Sequence, residues 1–448
     1  MMIETLQAVL GEKVSTNPYI LEAHGRDENQ TPGQLPQAVV FAESVADVQA
    51  TLAWAREQQI AVIAFGAGTS FEGLIVPQGP AISLDLTRMQ RVLRINPEDF
   101  TVEVEPGVTR EQLAAALRHT GLFFPVDPGA NASLGGMAAT NASGTTTVRY
   151  GGMRANVVTL EVVLANGEVL TLGRPVRKTS SGLDLKDLFI GSGGTLGIIT
   201  RLTLRLHPVP EHIHTLRVGF ASIAAATNAA YQIMASALPV ARLELVDALC
   251  LRAINRSLGR SYAEQPTLFL EFHSSTAEAI AAEAALAREI VTEQGSLSID
   301  TAHSADERAA LWEARHRAYW AMVSQYPGRR YVITDTAVPL AHIVDLITFA
   351  QELLTELQLD GSLIGHVGDG NFHTMLAVPP ESVAAAHTYT ERLVRHALSL
   401  GGTATGEHGI GIVKRPFLAA EHGASLVWMR HIKALFDPNN LLNPGKNL

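Results

Sequence analysis

Residues 125–152 read PVDPGANASLGGMAATNASGTTTVRYGG, and the fold is decided by how this run of small side chains is explained. Gly, Ala, Ser and Thr dominate it. Side chains this small leave a poor core, so the bare backbone makes sense if a large flat ligand lies against it. Two shorter runs repeat the theme. Residues 65–73, FGAGTSFEG, follow an apolar strand at 61–65, and residues 191–197, GSGGTLG, precede another at 198–206. Glycines without Cβ let backbone N–H groups approach a pyrophosphate closely, and Thr69 and Ser70 add hydroxyl donors. The first spacing fits neither Gly-x-Gly-x-x-Gly opening a helix nor a phosphate loop ending in Gly-Lys-Ser/Thr, which excludes Rossmann and P-loop readings. Taken alone, the run at 65–73 is weak evidence and reads more readily as an ordinary glycine turn.

Outward from these runs the texture is α+β. Strands are expected at 38–42, 81–86, 91–95, 101–105, 157–164 and 168–172, with a helix at 44–58 and Asn166-Gly167 as a hairpin turn. His207-Pro208-Val209-Pro210 breaks regular structure and marks the boundary of a first domain, 1–210. A second domain, 211–385, reads as an antiparallel sheet (strands 214–220, 242–246 and 267–272) covered by helices on one face. Its helices fall at 223–237 and 276–294, the latter opened by a capping box of Ser275 and Glu278. The last segment, 386–448, is helical around a glycine-rich loop at 401–411 and returns to the first domain.

A chain of 448 residues should hold two or three packed units. With 47% hydrophobic and 17% charged residues it is too apolar for a disordered chain. The net charge of −10 repels nucleic-acid phosphates, so no nucleic-acid partner is expected. Cys250 is the one cysteine. Internal disulfides, iron–sulfur clusters and thioether-linked haem are thereby excluded, and redox chemistry needs an organic cofactor or a metal. Residues 1–30 have the pattern of neither a signal nor a transit peptide, which makes the cytoplasm the default location. Residues 221–241 carry no charge, yet Ala, Ser, Thr, Asn and Gln dominate and Pro239 interrupts, so a helix packed inside a domain is expected there.

The C-terminal half supplies a constellation of another kind. Gly365-His366-Val367-Gly368-Asp369-Gly370-Asn371-Phe372-His373 is followed by Gly406-Glu407-His408-Gly409. A sharp Gly-Asp-Gly turn between two short strands brings His366 and His373 to one side, where a carboxylate from a separate loop completes a three-ligand site. Two imidazoles and a carboxylate suit zinc, manganese or iron. The competing reading is that these histidines are satisfied hydrogen-bonding residues.

The three glycine runs, in this order and at these separations, resemble the flavin domain of the FAD-linked oxidase superfamily related to vanillyl-alcohol oxidase. The C-terminal half matches as well, so the resemblance covers nearly the whole chain. Its nearest branch is the cytochrome-linked D-lactate dehydrogenases together with the glycolate oxidase flavin subunit. The resemblance implies a two-part FAD-binding domain with a cap domain. It implies FAD contacts at Gly66, Ala67, Gly68, Thr69, Ser70, Pro128, Gly129, Gly135, Gly136, Asn141, Ser143, Gly144, Gly151, Ile198 and Asn443. It also implies a divalent metal on His366, His373 and Glu407, a base at His408, an arginine for the substrate carboxylate at Arg315, and Asn371 beside them. From the sequence alone Arg315, on a helix at 311–322, is equally readable as a surface salt bridge.

Three departures and absences refine this. Gly193 stands where relatives commonly carry an acid. No lysine lies near Ile333, where D-2-hydroxyglutarate enzymes place one for a second carboxylate, which disfavours a dicarboxylate substrate. No histidine occurs in the second and third glycine runs, where some relatives attach FAD covalently, so dissociable FAD is expected. The expected activity is oxidation of a small D-2-hydroxy acid, D-lactate first, to the 2-oxo acid by hydride transfer to flavin. Electrons then pass to an external acceptor: a quinone, a cytochrome, an electron-transfer protein or an iron–sulfur partner subunit. A homodimer is expected, with peripheral contact at the inner membrane as the variant of a cytoplasmic location. The alternatives are a glycolate oxidase flavin subunit, a D-2-hydroxyglutarate dehydrogenase, a metal-dependent hydrolase using the same triad, and a catalytically idle FAD-binding subunit.

Overall fold

The computed structural model describes residues 2–448, in two compact units. The first runs to Ser143, takes in Gly151–Val209 and ends with Glu407–Leu448. The second comprises Gly144–Tyr150 and Pro210–Gly406.

In the first unit, Ala38–Phe41, Ala81–Asp85 and Ala61–Phe65 form a parallel set, with Val14–Ser15 antiparallel at its edge. Ala38–Phe41 and Ala61–Phe65 read as continuous apolar runs, and helices Met2–Leu10 and Val45–Gln58 pack their side chains into the same core. Ser44 caps the second of these helices by accepting from Asp47 N. An antiparallel sheet follows, ordered Val92–Asn96, Thr101–Val104, Ile198–Arg205, Val157–Val163, Val169–Gly173. Its last hairpin turns at Asn166-Gly167, where Gly167 takes φ +88. His207–Pro208, expected to be irregular, pairs with Leu122–Phe123. Proline is tolerated there because the ladder is two residues long and lacks a further neighbour.

Among the described residues the second unit is built on one eight-stranded antiparallel sheet. Its order is Ser296–Ala302, His212–Phe220, Thr267–Ser274, Val240–Val246, Gly361–Gly365, Asn371–Val378, Arg330–Ile333, with Thr336–Ala337 also on Asn371–Val378. Helices cover both faces, not one. Leu268, Leu270 and Phe272 point into a core with helices Ile223–Ala235, Ala277–Glu293, Ile343–Glu356 and Val383–Ser399, while the alternate residue Phe269 enters a second core with Ala248–Leu258 and Ala318–Gln325. The face carrying Phe269 also holds Thr267, Glu271 and His273, so the alternation reads as a solvent-facing side although these residues are buried.

Four further expectations are corrected. The cap of Ala277–Glu293 is Thr276, which accepts from Ala279 N, one residue later than the Ser275–Glu278 box. The segment at 311–322 is two helices, Ala305–His316 and Ala318–Gln325, broken at Arg317. The second unit extends past 385 to Gly406, because Tyr389, Leu393 and Ala397 of Val383–Ser399 lie in its core. It also claims Gly144–Tyr150, which interrupts the long glycine-rich run. Residues 221–241 form helix Ile223–Ala235 and the start of a strand, and no helix among the described residues is long and apolar enough to cross a membrane.

The hub that ties Gly144–Tyr150 to the second unit is a buried carboxylate. Glu271 accepts from Thr215 Oγ1 at 2.8 Å, Trp312 Nε1 at 2.6 Å and His273 Nε2 at 2.9 Å, and His273 Nδ1 accepts from Tyr150 OH at 2.8 Å. Arg149 donates to the carbonyls of Pro239 and His273. Burial alone would raise the Glu271 pKa. The hydrogen bond from His273 and the charge of Arg242 overcome that and hold it at about 2, against an ordinary 4.5. A depressed carboxyl pKa contributes stability above the unfolded value that is lost as pH falls from about 4.5 to about 2, here about 3 kcal/mol. Urea unfolding of Glu271→Gln should therefore show lower stability at pH 7 and a shallower decline over that acid range. An equally steep decline in the variant would show that Glu271 is not the group responsible.

Candidate active site

The first unit brings the three glycine runs together through backbone contacts that side chains would block. The loop after Ala61–Phe65 turns at Gly68, φ +75, and a Cβ on Gly66 would sit 2.3 Å from Ser133 Oγ. Gly135, in helix Leu134–Thr140, lies against Pro106, where a Cβ would come within 2.5 Å of a ring carbon. Gly191 N and Gly193 N donate to Ala138 O and Ala139 O at 2.9 and 2.8 Å, locking the third run to the second. Gly129 lies exposed, Asn141 ends the helix with its Oδ1 accepting from Arg154 N, and Gly151 takes φ +75. The Ile198 side chain is in the hydrophobic core, so only its backbone can face a ligand. Gly144 falls in the second unit.

The chain's last residues lace these loops. Asn443 Nδ2 donates to Leu74 O at 3.1 Å and Gly193 O at 2.7 Å, Lys446 Nζ donates to Leu74 O at 2.7 Å, and Asn447 Nδ2 donates to Gly191 O at 3.2 Å. Burial pushes Lys446 down to about 7, with Asp27 pulling the other way. Asp27 in turn accepts from Gly73 N at 2.7 Å. Lys446 and Asp27 were not singled out from the sequence, since an isolated lysine or aspartate carries no pattern.

His408 belongs to the same unit. Its Nδ1 lies 3.5 Å from Glu72 Oε1, its ring is tilted 31° against Phe71 at 5.0 Å, and Glu407 Oε1 lies 3.9 Å from its Nε2. Glu72, buried at the end of the first glycine run, pairs with the equally buried Lys414 at 3.0 Å. Ser143 Oγ donates to Glu407 Oε2 at 3.0 Å.

The second unit carries a polar row on its sheet. Glu244, 1% exposed in the middle of Val240–Val246, accepts from His366 Nδ1 at 2.7 Å through Oε1. Through Oε2 it accepts from Arg315 Nε at 2.9 Å, with Nη2 at 2.7 Å. His373 Nδ1 donates to Thr334 O at 3.1 Å. Because a carboxylate and a carbonyl only accept, both Nδ1 atoms carry the proton, and in the neutral rings Nε2 is the lone-pair nitrogen. Ligand nitrogens of the two rings lie within 4.8 Å of each other. Arg315 is buried, not a surface ion pair.

Asp335, 1% exposed, accepts from Asn371 Nδ2 at 2.8 Å, Thr405 Oγ1 at 2.7 Å and Gly406 N at 2.9 Å. Asn371 also donates to Thr336 O at 2.8 Å, so its amide is committed to the scaffold and only its buried Oδ1, which has no hydrogen-bond partner, can meet a ligand. A Cβ on Gly406 would fall 2.1 Å from Asn371 Nδ2, which is why a glycine precedes Glu407. Glu244 and Asp335 had no role read from the sequence: Glu244 is one acid in an alternating strand, and Asp335 lies in the two-residue break between Arg330–Ile333 and Thr336–Ala337.

Two family models match. The description "FAD binding domain" fits residues 36–173, and "FAD linked oxidases, C-terminal domain" fits residues 209–447. The chain is 43% identical to a probable mitochondrial D-lactate dehydrogenase of Danio rerio, covering 100% of this chain and 91% of that protein. It is 38% identical to the mitochondrial cytochrome-type D-lactate dehydrogenase of Arabidopsis thaliana, covering 99% and 79%. The solved 4-ethylphenol oxidase from Gulosibacter chungangensis shares the fold, with a TM-score of 0.80 over 100% of this chain and 96% of that one at 19% identity. The chain belongs to the FAD linked oxidases, and its cofactor is FAD.

The first unit fits that cofactor. Bare glycine backbone converges from three loops, and Ser70 Oγ and Asn443 Oδ1 are buried without a hydrogen-bond partner, as expected of groups that a polar ligand satisfies. Asn443→Ala removes the amide that holds Leu74 O and Gly193 O together. Leaving buried carbonyls unsatisfied costs about 1–3 kcal/mol, so FAD affinity should fall roughly 10- to 100-fold, read by quenching of flavin fluorescence on titration with apoprotein. Wild-type affinity would remove Asn443 from the cradle.

Proposed function

We propose that the chain oxidises a small D-2-hydroxy acid, D-lactate foremost, to the 2-oxo acid and passes the electrons to an external acceptor. The observation that carries this reading is the polar row of the second unit, where a buried arginine and two imidazoles with Nε2 lone pairs sit side by side on a chain that binds FAD. A carboxylate substrate needs a cation, and an α-hydroxyl must lose a proton as its carbon loses hydride. The full-length similarity to D-lactate dehydrogenases supports the substrate class.

Arg315 binds the substrate carboxylate through its planar fork. His408 accepts the hydroxyl proton on Nε2, while Glu72 on the Nδ1 side stabilises the imidazolium that forms. FAD, when bound, supplies the two-electron acceptor for the hydride. His366, His373 and Glu407 are the residues that would hold a divalent metal, which would draw charge from the substrate oxygens. Glu407 follows Gly406 directly in the chain, and Gly406 N is held by Asp335 beside Asn371. Zinc, manganese and iron all suit this donor set. The protein is proposed to be a cytoplasmic homodimer.

Anaerobic D-lactate should bleach the flavin absorption. His408→Ala should slow this single-turnover reduction by ~10²–10⁴-fold with FAD retained, whereas Arg315→Lys should raise KM more than it lowers kcat. Unchanged bleaching in His408→Ala would move the base elsewhere, and a flavin that D-lactate leaves oxidised would refute the substrate.

The FAD is proposed to be dissociable, since neither the second nor the third glycine run holds a histidine or cysteine. Acid precipitation should leave all yellow colour in the supernatant. Flavin retained in the denatured pellet would show a covalent link.

A further inference from the structure

Glu244 occupies an unusual position for a buried acid: its two oxygens face two different functional groups. Oε1 takes the Nδ1 proton of His366, and Oε2 takes the Nε edge of Arg315. Removing a carboxylate from water costs several kcal/mol unless a cation and further donors meet it. Here the cation is Arg315 and the further donor is His366, so neither can leave without stranding the charge.

We infer that Glu244 is a positioning residue that couples metal binding to substrate recognition, fixing the His366 tautomer with one oxygen and the Arg315 fork with the other. The inference rests on the proposed roles of His366 and Arg315. A histidine ligand needs its second nitrogen held by an acceptor, both to keep the lone pair on the ligating nitrogen and to raise its basicity. Glu244 does this for His366, and Thr334 O does it for His373. The carboxylate is the stronger of the two acceptors, because the hydrogen bond is charge-assisted. Holding Arg315 through Nε and Nη2 leaves Nη1 for an incoming carboxylate and limits rotation of a long side chain that would otherwise have to be ordered at binding.

The two arms are inseparable for a geometric reason. Both partners of Glu244 are donors, and a carboxylate has acceptors on both oxygens. Gln in its place keeps the volume but loses the charge that strengthens both hydrogen bonds, and its NH2 turns one of the two contacts donor against donor, so both arms weaken.

Zn2+ titrated into metal-stripped, FAD-loaded protein against a chromogenic chelator measures one arm, and the KM for D-lactate measures the other. Glu244→Gln should weaken Zn2+ binding about 10- to 100-fold, the usual cost of losing a ligand's outer partner. It should also raise KM more than it lowers kcat at saturating Zn2+. Glu244→Asp keeps the charge but is one methylene shorter, and should fall between wild type and Glu244→Gln on both measures. Wild-type Zn2+ affinity and KM in Glu244→Gln would overturn the inference, and so would a change confined to one arm. If Glu244→Gln fails to fold, Glu244→Asp decides: a variant matching wild type on both arms overturns it. Wild-type protein that itself takes up no Zn2+ would instead refute the metal reading on which the coupling depends.

Discussion

A carboxylate buried in protein must be met by donors on every side, and the second unit is organised by three of them. Glu271, Glu244 and Asp335 are each at most 4% exposed. Each gathers groups from elements distant in sequence: Glu271 collects Thr215, His273 and Trp312, Glu244 collects Arg315 and His366, and Asp335 collects Asn371, Thr405 and Gly406. Breaking such a set by removing one partner leaves an uncompensated charge, a loss of about 3–5 kcal/mol. The sheet can therefore present arginine, histidine and asparagine in one arrangement and not in several. Rigidity of this kind is what a site needs when it must hold a small, mobile substrate in register with a cofactor.

The first unit meets a different constraint. A flat cofactor requires backbone to come close, and close backbone requires glycine, so three loops lose the side chains that would normally cement them together. The cement comes from the far end of the chain instead. Asn443, Lys446 and Asn447 donate to carbonyls of loops that precede them by more than 240 residues. Burial at this position pushes the Lys446 pKa down to about 7.

Much of this was legible beforehand, and for a common reason. Elements such as 38–41, 61–65 and 198–205, the hairpin at Asn166-Gly167, and the glycine runs are local signals, encoded within a few residues by hydrophobic pattern or by the absence of Cβ. The pair His366 and His373 was readable because a short turn between strands fixes their distance. The capping residue Thr276 and the break at Arg317 were misjudged within the ordinary uncertainty of helix ends. Helices on both faces of the second sheet escaped because the second face carries polar residues such as Glu244, Glu271 and His273, which read as solvent-facing until their buried partners are known.

What the sequence by itself determined, then, was the set of elements, the family chemistry and the residue types of the site. What only the tertiary structure decided was which buried acids those residues lean on. Glu244 and Arg315 lie 71 positions apart, and Glu244 and His366 lie 122 apart. Nothing in strand Val240–Val246 distinguishes Glu244 from a solvent-facing acid in an alternating pattern. Its neighbours across the sheet settle the matter, because a carboxylate's role depends on whether water or a set of donors surrounds it, and that is fixed only when the strands pair and the helix carrying Arg315 closes over them.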